Sequence, residues 1–283
     1  MNRGTDMTDI TEMTDDKLTT IAERTEAENM IRLQESAPDH VKQALGMAAA
    51  RIGGGVALSM RHDPTGGYWR KALGFGLDRP VDAALIDEVL DFYRANGDEA
   101  AVLQIAPALL PAGWDDIIAG RGITAGSRWV KFIRPAGPLE ASSDLRVGPV
   151  EPDRRQEAAE VMLRGFGMPD GGLAAMFATT SGRDDIRTFA AYEGDSIVAV
   201  GHLFLYGDSA ELAGAATLPG HRGRGAQSAL LAARAQTAVD EGVRWLVVET
   251  GKPGPDDHNH SYNNLVRAGF RPLYARQNWL WKA

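Results

Sequence analysis

Residues 211–249 read ELAGAATLPGHRGRGAQSALLAARAQTAVDEGVRWLVVE. Small residues from Glu211 to Leu218 have the character of a strand. Pro219-Gly220-His221 then turns the chain into a glycine- and arginine-rich loop, Arg222-Gly223-Arg224-Gly225-Ala226-Gln227. An Ala- and Leu-rich stretch over 226–241 predicts a helix, Gly242 closes it, and 245–249 is a short apolar strand. Strand, Gly/Arg loop, helix and strand make a unit suited to holding phosphate. The amides of a helix's first turn have no intrahelical partner, and the helix dipole adds to their pull on an anion. Glycine lets the backbone approach a ligand, and arginine supplies charge.

C-terminal to this unit, a polar loop (251–260) leads to a helix over 261–268, a Gly269 C-cap and a last strand over 273–281. On its N-terminal side, 188–192 and 196–205 form a hairpin around Glu193-Gly194-Asp195. Before the hairpin come a strand over 145–150, a helix over 154–166, a glycine-rich turn and a helix over 173–180. The segment PAGPLEASS, 135–143, has the composition of a linker. In the first half, helices are expected over 15–35, with Thr14 or Asp15 as cap, and over 39–51, stopped by Gly53-Gly54-Gly55. A strand over 56–60 precedes a loop, 62–80, anchored by Trp69 and Phe75. A helix ending at Asn96-Gly97, a strand over 101–105, a short helix over 111–120 and a strand over 127–133 complete this half.

The two halves share an order. Gly122-Ile123 matches Gly269-Phe270, VLQIAP (102–107) matches LVVETG (246–251), and Gly97 matches Gly242, at an offset of about 145 residues. The first-half counterpart of the phosphate loop is LDRPVDAAL, which lacks glycine and has Pro80 in place of an amide donor. The expected organisation is a polar, disordered tail (1–14), a degenerate domain (15–136), a linker (137–143) and an intact domain (144–283).

Composition limits the partners. The 283-residue chain has a net charge of −8, so no overall basic footprint marks it for nucleic acid or an anionic membrane. It has no cysteine, which excludes disulfides, thiolate catalysis and Cys-based zinc sites and fits a cytoplasmic protein. No apolar run reaches the roughly 18 residues of a membrane span. The start, MNRGTDMTDITEMTDDK, lacks the apolar centre of a secretory signal.

Residues 144–283 resemble the GNAT superfamily of N-acetyltransferases. That family carries R/Q-x-x-G-x-G/A between a strand and a helix, matched by Arg222, Gly223, Arg224 and Gly225, with Gln227 departing at the final small position. Its late helix, containing Asn or Ser and ending in Gly-Phe, is matched by Ser261, Asn264, Gly269 and Phe270. The resemblance implies two α/β (α+β) domains, each a mixed, mostly antiparallel sheet flanked by helices, with a splayed parallel strand pair at the CoA site. It implies acetyl transfer from acetyl-CoA to a primary amine of a small molecule, such as a cationic metabolite or antibiotic, by direct attack and without a metal. The amides from Arg222 through Gly223, Arg224, Gly225, Ala226 and Gln227 to Ser228 would hold pyrophosphate. Ala216, Thr217 and Leu218 would pair with the pantetheine arm as an added strand, and Asn264 would contact that arm or the acetyl end. The expected assembly is a monomer or homodimer.

Aminolysis of a thioester needs a neutral amine, so a carboxylate or a water chain is required nearby. Glu211 is the first candidate base: it lies eleven residues before Arg222, the spacing seen in histone-type members of the superfamily. Glu249, ending the next strand, is the second. The family's tyrosine acid falls at Leu265, leaving Tyr262, Tyr274 or water to protonate the thiolate. His258 and His260 beside Asp256 and Asp257 have only loose metal-like spacing, and a polar loop is the simpler reading. His221 reads as a turn residue, and Trp69 as core or as a cavity wall. Two rivals stay open. Gly223-x-Gly225-x-x-Ser228 approaches a dinucleotide fingerprint, although its third glycine is absent and it follows a hairpin. A loop without the tyrosine also suits a non-catalytic acyl-CoA sensor, and a peptide N-terminus is an alternative acceptor.

Overall fold

The computed structural model describes residues 13–254, 257 and 259–283. The polar tail read over 1–14 lies largely outside them. In the first half, α1 (Asp15–Glu35) and α2 (Asp39–Leu45) precede β1 (Met47–Ile52), β2 (Gly55–Met60) and β3 (Lys71–Leu73). These are followed by α3 (Ala83–Ala95), β4 (Ala100–Gln104), α4 (Trp114–Ile118) and β5 (Ile123–Pro135). The second half runs β6 (Arg146–Pro149), α5 (Arg155–Phe166), α6 (Leu173–Thr180), β7 (Ile186–Glu193), β8 (Ser196–Tyr206) and β9 (Ser209–Thr217). It ends with α7 (Ala226–Asp240), β10 (Trp245–Gly251), α8 (His260–Arg267) and β11 (Arg271–Lys282). From α1 and α5 onward the two halves repeat the same elements in the same order.

All strands join one sheet, in the order β1-β2-β3-β4-β11-β5-β10-β9-β8-β7-β6. Each half's last strand therefore lies between two strands of the other half: β5 between β11 and β10, and β11 between β4 and β5. The two exchanged strands pair antiparallel with each other, with Trp129 opposite Arg276. Two pairs are parallel, β3 with β4 and β9 with β10. Helices cover both faces. The first-half residues Leu33, Val41, Leu45 and Trp69 share one core with Met162, Leu173, Phe177 and Val200 of the second half.

Two local readings are corrected. The segment 39–51 is not one helix: Gly46, at φ 59°, ends α2, and Met47–Ile52 pairs with β2 across a Gly53-Gly54 turn. Ala48-Ala49-Ala50 favours a helix locally, but the ladder against β2 outweighs that preference. The loop read over 62–80 contains β3, a strand too short to leave a periodic signal. Trp69 and Phe75 are buried there, as anchors should be.

Helix α1 begins with Asp15 and Asp16 and carries Arg32 in its last turn, both favourable to its dipole. Its buried face is unusual, because it includes Glu23, Glu26, Glu28 and Asn29 beside Leu18, Ala22 and Ile31. It crosses the sheet where the halves meet, and those polar groups find their partners there.

Candidate active site

The loop ahead of α7 forms an open cradle. Gly223 and Gly225 have φ of 81° and 76°, a backbone region that side chains rarely adopt. Gly225 is the N-cap of α7 and offers no capping side chain. Among the described residues, no hydrogen bond takes up the amides from Gly223 to Ser228. The first half is closed at the same place: Asp82 caps α3, its carboxylate accepting from the Leu85 amide at 2.7 Å. A fixed negative charge thus stands where the second half has open donors.

Neither loop arginine turns its side chain to the cradle. The Arg222 guanidinium donates to the Thr217 and Gly165 carbonyls, tying α5 to β9. Arg224 pairs with Asp144 at 2.6 Å and with Glu193, and His221 also meets Glu193. Gln227, the departure from the family pattern, donates to Thr217 Oγ1 at 2.8 Å and so braces strand against helix. The linker crosses beside the cradle, where a Cβ on Gly225 would stand 2.3 Å from the Ser142 carbonyl oxygen. A pocket of about 250 Å³ separates the linker from α7 and α8, lined by Leu139, Ser142, Ser228, Leu231 and Asn264. Asn264 also accepts from Arg267 within α8.

Strands β9 and β10 are paired only from Ser209 to Glu211, against Trp245 to Val247. Beyond that they separate. A bulge in β9 sets Ala213 and Ala216 against His202 and Val200, with Gly214 at φ 55°. Gly165 lets α5 press on this stretch, since a Cβ there would lie 2.8 Å from that of Ala216. Ala216 and Thr217 are buried beside the gap, and the Leu218 amide donates to Val198 within the sheet. Arg234 of α7, fully enclosed, donates to the His202 and Ala213 carbonyls and pins the bulge. Burial pulls the Arg234 pKa down to about 10 and holds His202 neutral, down to about 3, with the Arg234 charge adding to the second effect.

Glu211 closes the base of this V, opposite Val247, with Glu249 one step further along β10. Glu211 is buried and accepts from Asn29 Nδ2 of α1 at 2.7 Å. Burial, and then the Glu26 charge, push its pKa up to about 7. Glu249 is raised for the same two reasons, while Lys131 and Arg276 pull it back. It belongs to a buried network. Arg276 holds Glu23 at 2.8 Å, Glu26 at 2.7 Å and Glu249 at 2.6 Å, and Lys131 holds Glu26 at 2.5 Å and Glu249 at 3.1 Å. The arginine and lysine keep Glu26 well below the usual carboxylate range despite its burial. Glu249 is therefore committed to cations, whereas Glu211 has one neutral partner.

The tyrosines separate by environment. The Tyr274 hydroxyl donates to Glu23 at 2.6 Å, and its burial raises its pKa well above the ordinary value, so its proton is held in the network. Tyr262, in the first turn of α8, packs its ring against Phe132 and makes no hydrogen bond through its hydroxyl among the described residues. Leu265 is buried in the core beneath it. Trp69 packs against Phe177, at the boundary between the halves. Among the described residues, no cluster of His, Cys, Asp or Glu is placed to hold a metal ion; Asp256 and His258 lie outside them. No described helix is long and apolar enough to cross a membrane.

Asn29, Lys131, Arg276, Arg234 and His202 were not legible as site residues. The one available sign was α1 itself, a helix with Glu23, Glu26 and Asn29 where an apolar stripe was due.

Residues 158–260 match the model of the Acetyltransferase (GNAT) family. The match lies within the second half of the chain, which is similar to that family over those residues. Among solved structures, the chain is similar to a GCN5-related N-acetyltransferase from Kribbella flavida, with a TM-score of 0.61 and 16% identity, covering 92% of this chain and 95% of that one. It is also similar to a tandem GNAT protein from the clavulanic acid biosynthesis pathway, with a TM-score of 0.54, 15% identity and coverage of 95% and 97%. A third likeness, to a GCN5-related N-acetyltransferase from Sphaerobacter thermophilus, has a TM-score of 0.56 and 13% identity over 75% of this chain and 71% of that one. The fold of the whole chain is thus that of tandem GNAT proteins. No curated protein matches the sequence.

Proposed function

We propose that the chain transfers the acetyl group of acetyl-CoA to the primary amine of a small molecule, bound where the two halves meet. The observation that carries this reading is the alignment of three features along one path. The open amides of Gly223–Ser228 suit a pyrophosphate, the gap between β9 and β10 suits an extended amide-bearing arm, and Glu211 stands at the end of that gap.

Glu211 serves as the base. A carboxyl group held near neutrality accepts a proton from an ammonium group and returns it to water at the same pH. Asn29 fixes the carboxylate's orientation through the oxygen it holds, leaving the other free for the amine or a bridging water. Tyr262 suits the departing thiolate better than Tyr274, because its proton is not held by a carboxylate. When bound, acetyl-CoA supplies the activated acyl group; the chain supplies position, a proton acceptor and exclusion of water.

Calorimetry with CoA, followed by assay of thiol release from acetyl-CoA with a panel of amines, tests the proposal. Binding and amine-dependent release are expected. Binding without release would favour an acyl-CoA sensor, a reading that the buried Leu265 in the family's tyrosine position supports. NAD(H) binding in place of CoA would overturn the assignment.

A further inference from the structure

The side of α1 that lies on the sheet is polar in steps of one helical turn. Glu23, Glu26 and Asn29 follow one another at three-residue spacing and so share a face. Each reaches the seam between the halves at a different point. Glu23 takes Arg276 and Tyr274 of β11, Glu26 takes Arg276 and also Lys131 of β5, and Asn29 takes Glu211 of β9. Glu249 joins from β10, two residues beyond Val247, which stands opposite Glu211. Glu26 and Glu249 hold the same two groups. One Arg276 nitrogen lies 2.7 and 2.6 Å from their carboxylates, and the Lys131 ammonium 2.5 and 3.1 Å. The two carboxylates are therefore neighbours.

The charges in direct contact do not balance. Glu23, Glu26 and Glu249 share Arg276 and Lys131, one cation fewer than carboxylates. Lys71 of β3 acts on Glu26 and Glu249 only through space; its contacts are the Tyr68 and Trp129 rings. Toward β8, Glu211 faces the Phe204 ring, and Arg32 above that ring is paired with Glu28 and Asp185. His202, also on β8, is neutral. A surplus of buried negative charge raises the cost of ionising one more carboxyl beside it. Glu211 is that carboxyl. Burial, then the Glu26 charge and in smaller part Glu249, push its pKa up to about 7, against the pull of Lys131 and Asn29.

We infer that Glu26 and Lys131, both supplied by the first half, are positioning residues for acetyl transfer: the charge balance between them sets how readily Glu211 takes a proton from the acceptor amine. This rests on the acetyl-transfer reading with Glu211 as base, and it gives the first half a part in the reaction. Glu26 strengthens the hold of Glu211 on a proton, and Lys131 moderates it. A half with no open cradle of its own thus acts on the chemistry of the other through charge.

The test reads the Glu211 carboxyl and the reaction separately. The full chain is labelled at its glutamate carboxyl carbons for NMR titration, and the Glu211 signal is assigned by its loss in Glu211→Gln. Glu26→Gln keeps the side chain's shape and one acceptor oxygen, and leaves Glu23 and Glu249 matched by Arg276 and Lys131. The Glu211 titration and the rising limb of the pH–rate profile should both move down, by about one pH unit. Lys131→Met should move both up. Loosened packing alone would not shift them in opposite directions. The double variant removes an ion pair whole, and should return both toward their wild-type positions. CoA affinity in calorimetry should be the same throughout. A Glu211 titration indifferent to Glu26→Gln would overturn the inference and leave acetyl transfer standing. A titration that moves without the rate limb would also overturn it, and would take the base role from Glu211. CoA binding with no turnover of any amine would overturn it together with the acetyl-transfer reading. If Lys131→Met does not fold, Glu26→Gln and the double variant decide.

Discussion

Glu211 illustrates how one residue's environment can set both rate and stability. Its carboxyl is raised to about 7, first by burial and then by the neighbouring Glu26 charge. The rate of acetyl transfer should rise with pH through that value, and Glu211→Gln should lower turnover and flatten the limb without changing CoA affinity. The same shift has a cost. The folded chain binds this proton more tightly than the unfolded chain does. Stability is therefore lost as pH rises from the ordinary carboxylate value through about 7. Glu211→Gln should consequently stabilise the chain at pH 8, by on the order of 2–3 kcal/mol in urea melts, and leave it unchanged at pH 4. Asn29 donates to the ionised form, so Asn29→Ala should move the pH–rate limb to higher pH. A limb that stays in place would mean that Asn29 only packs α1 onto the sheet.

At the scale of elements, the contrast between α3 and α7 is the instructive one. Both are N-terminal to a central strand, but Asp82 caps one and Gly225 leaves the other open. A substitution at Gly225 would strike the linker's Ser142, confusing loss of ligand with loss of fold. At Gly223 nothing lies within 4 Å of a Cβ, so a side chain there strikes no neighbour and the strain of its φ of 81° falls on the loop's own backbone. Gly223→Val should keep the circular dichroism spectrum and weaken CoA binding by at least about tenfold in calorimetry. The loop, α7 and Gly269 were legible because glycine and helix periodicity are local signals. Met47–Ile52 was not, because its strand state comes from a partner strand and not from its own alanines. The charge network was out of reach for a related reason. Arg276 and Glu23 are 253 residues apart, and nothing near either announces the other.

At the scale of the molecule, the exchanged strands bind the halves into one cooperative unit. Residues 144–283 alone would leave β10 without β5 and bury Arg276 without Glu23 and Glu26. That fragment should be unfolded by circular dichroism, and the full chain should melt in a single transition. Two separated transitions would show that the halves are stable apart. The order of synthesis makes the arrangement demanding. Strand β11, which separates β4 from β5, is made after every other strand. During translation the first half therefore waits with the flank of β4 unpaired, an edge open to pairing with other chains until β11 emerges from the ribosome. Conditions that slow or cut short translation near its end would expose the finished residues of both halves to aggregation, not only those of the second.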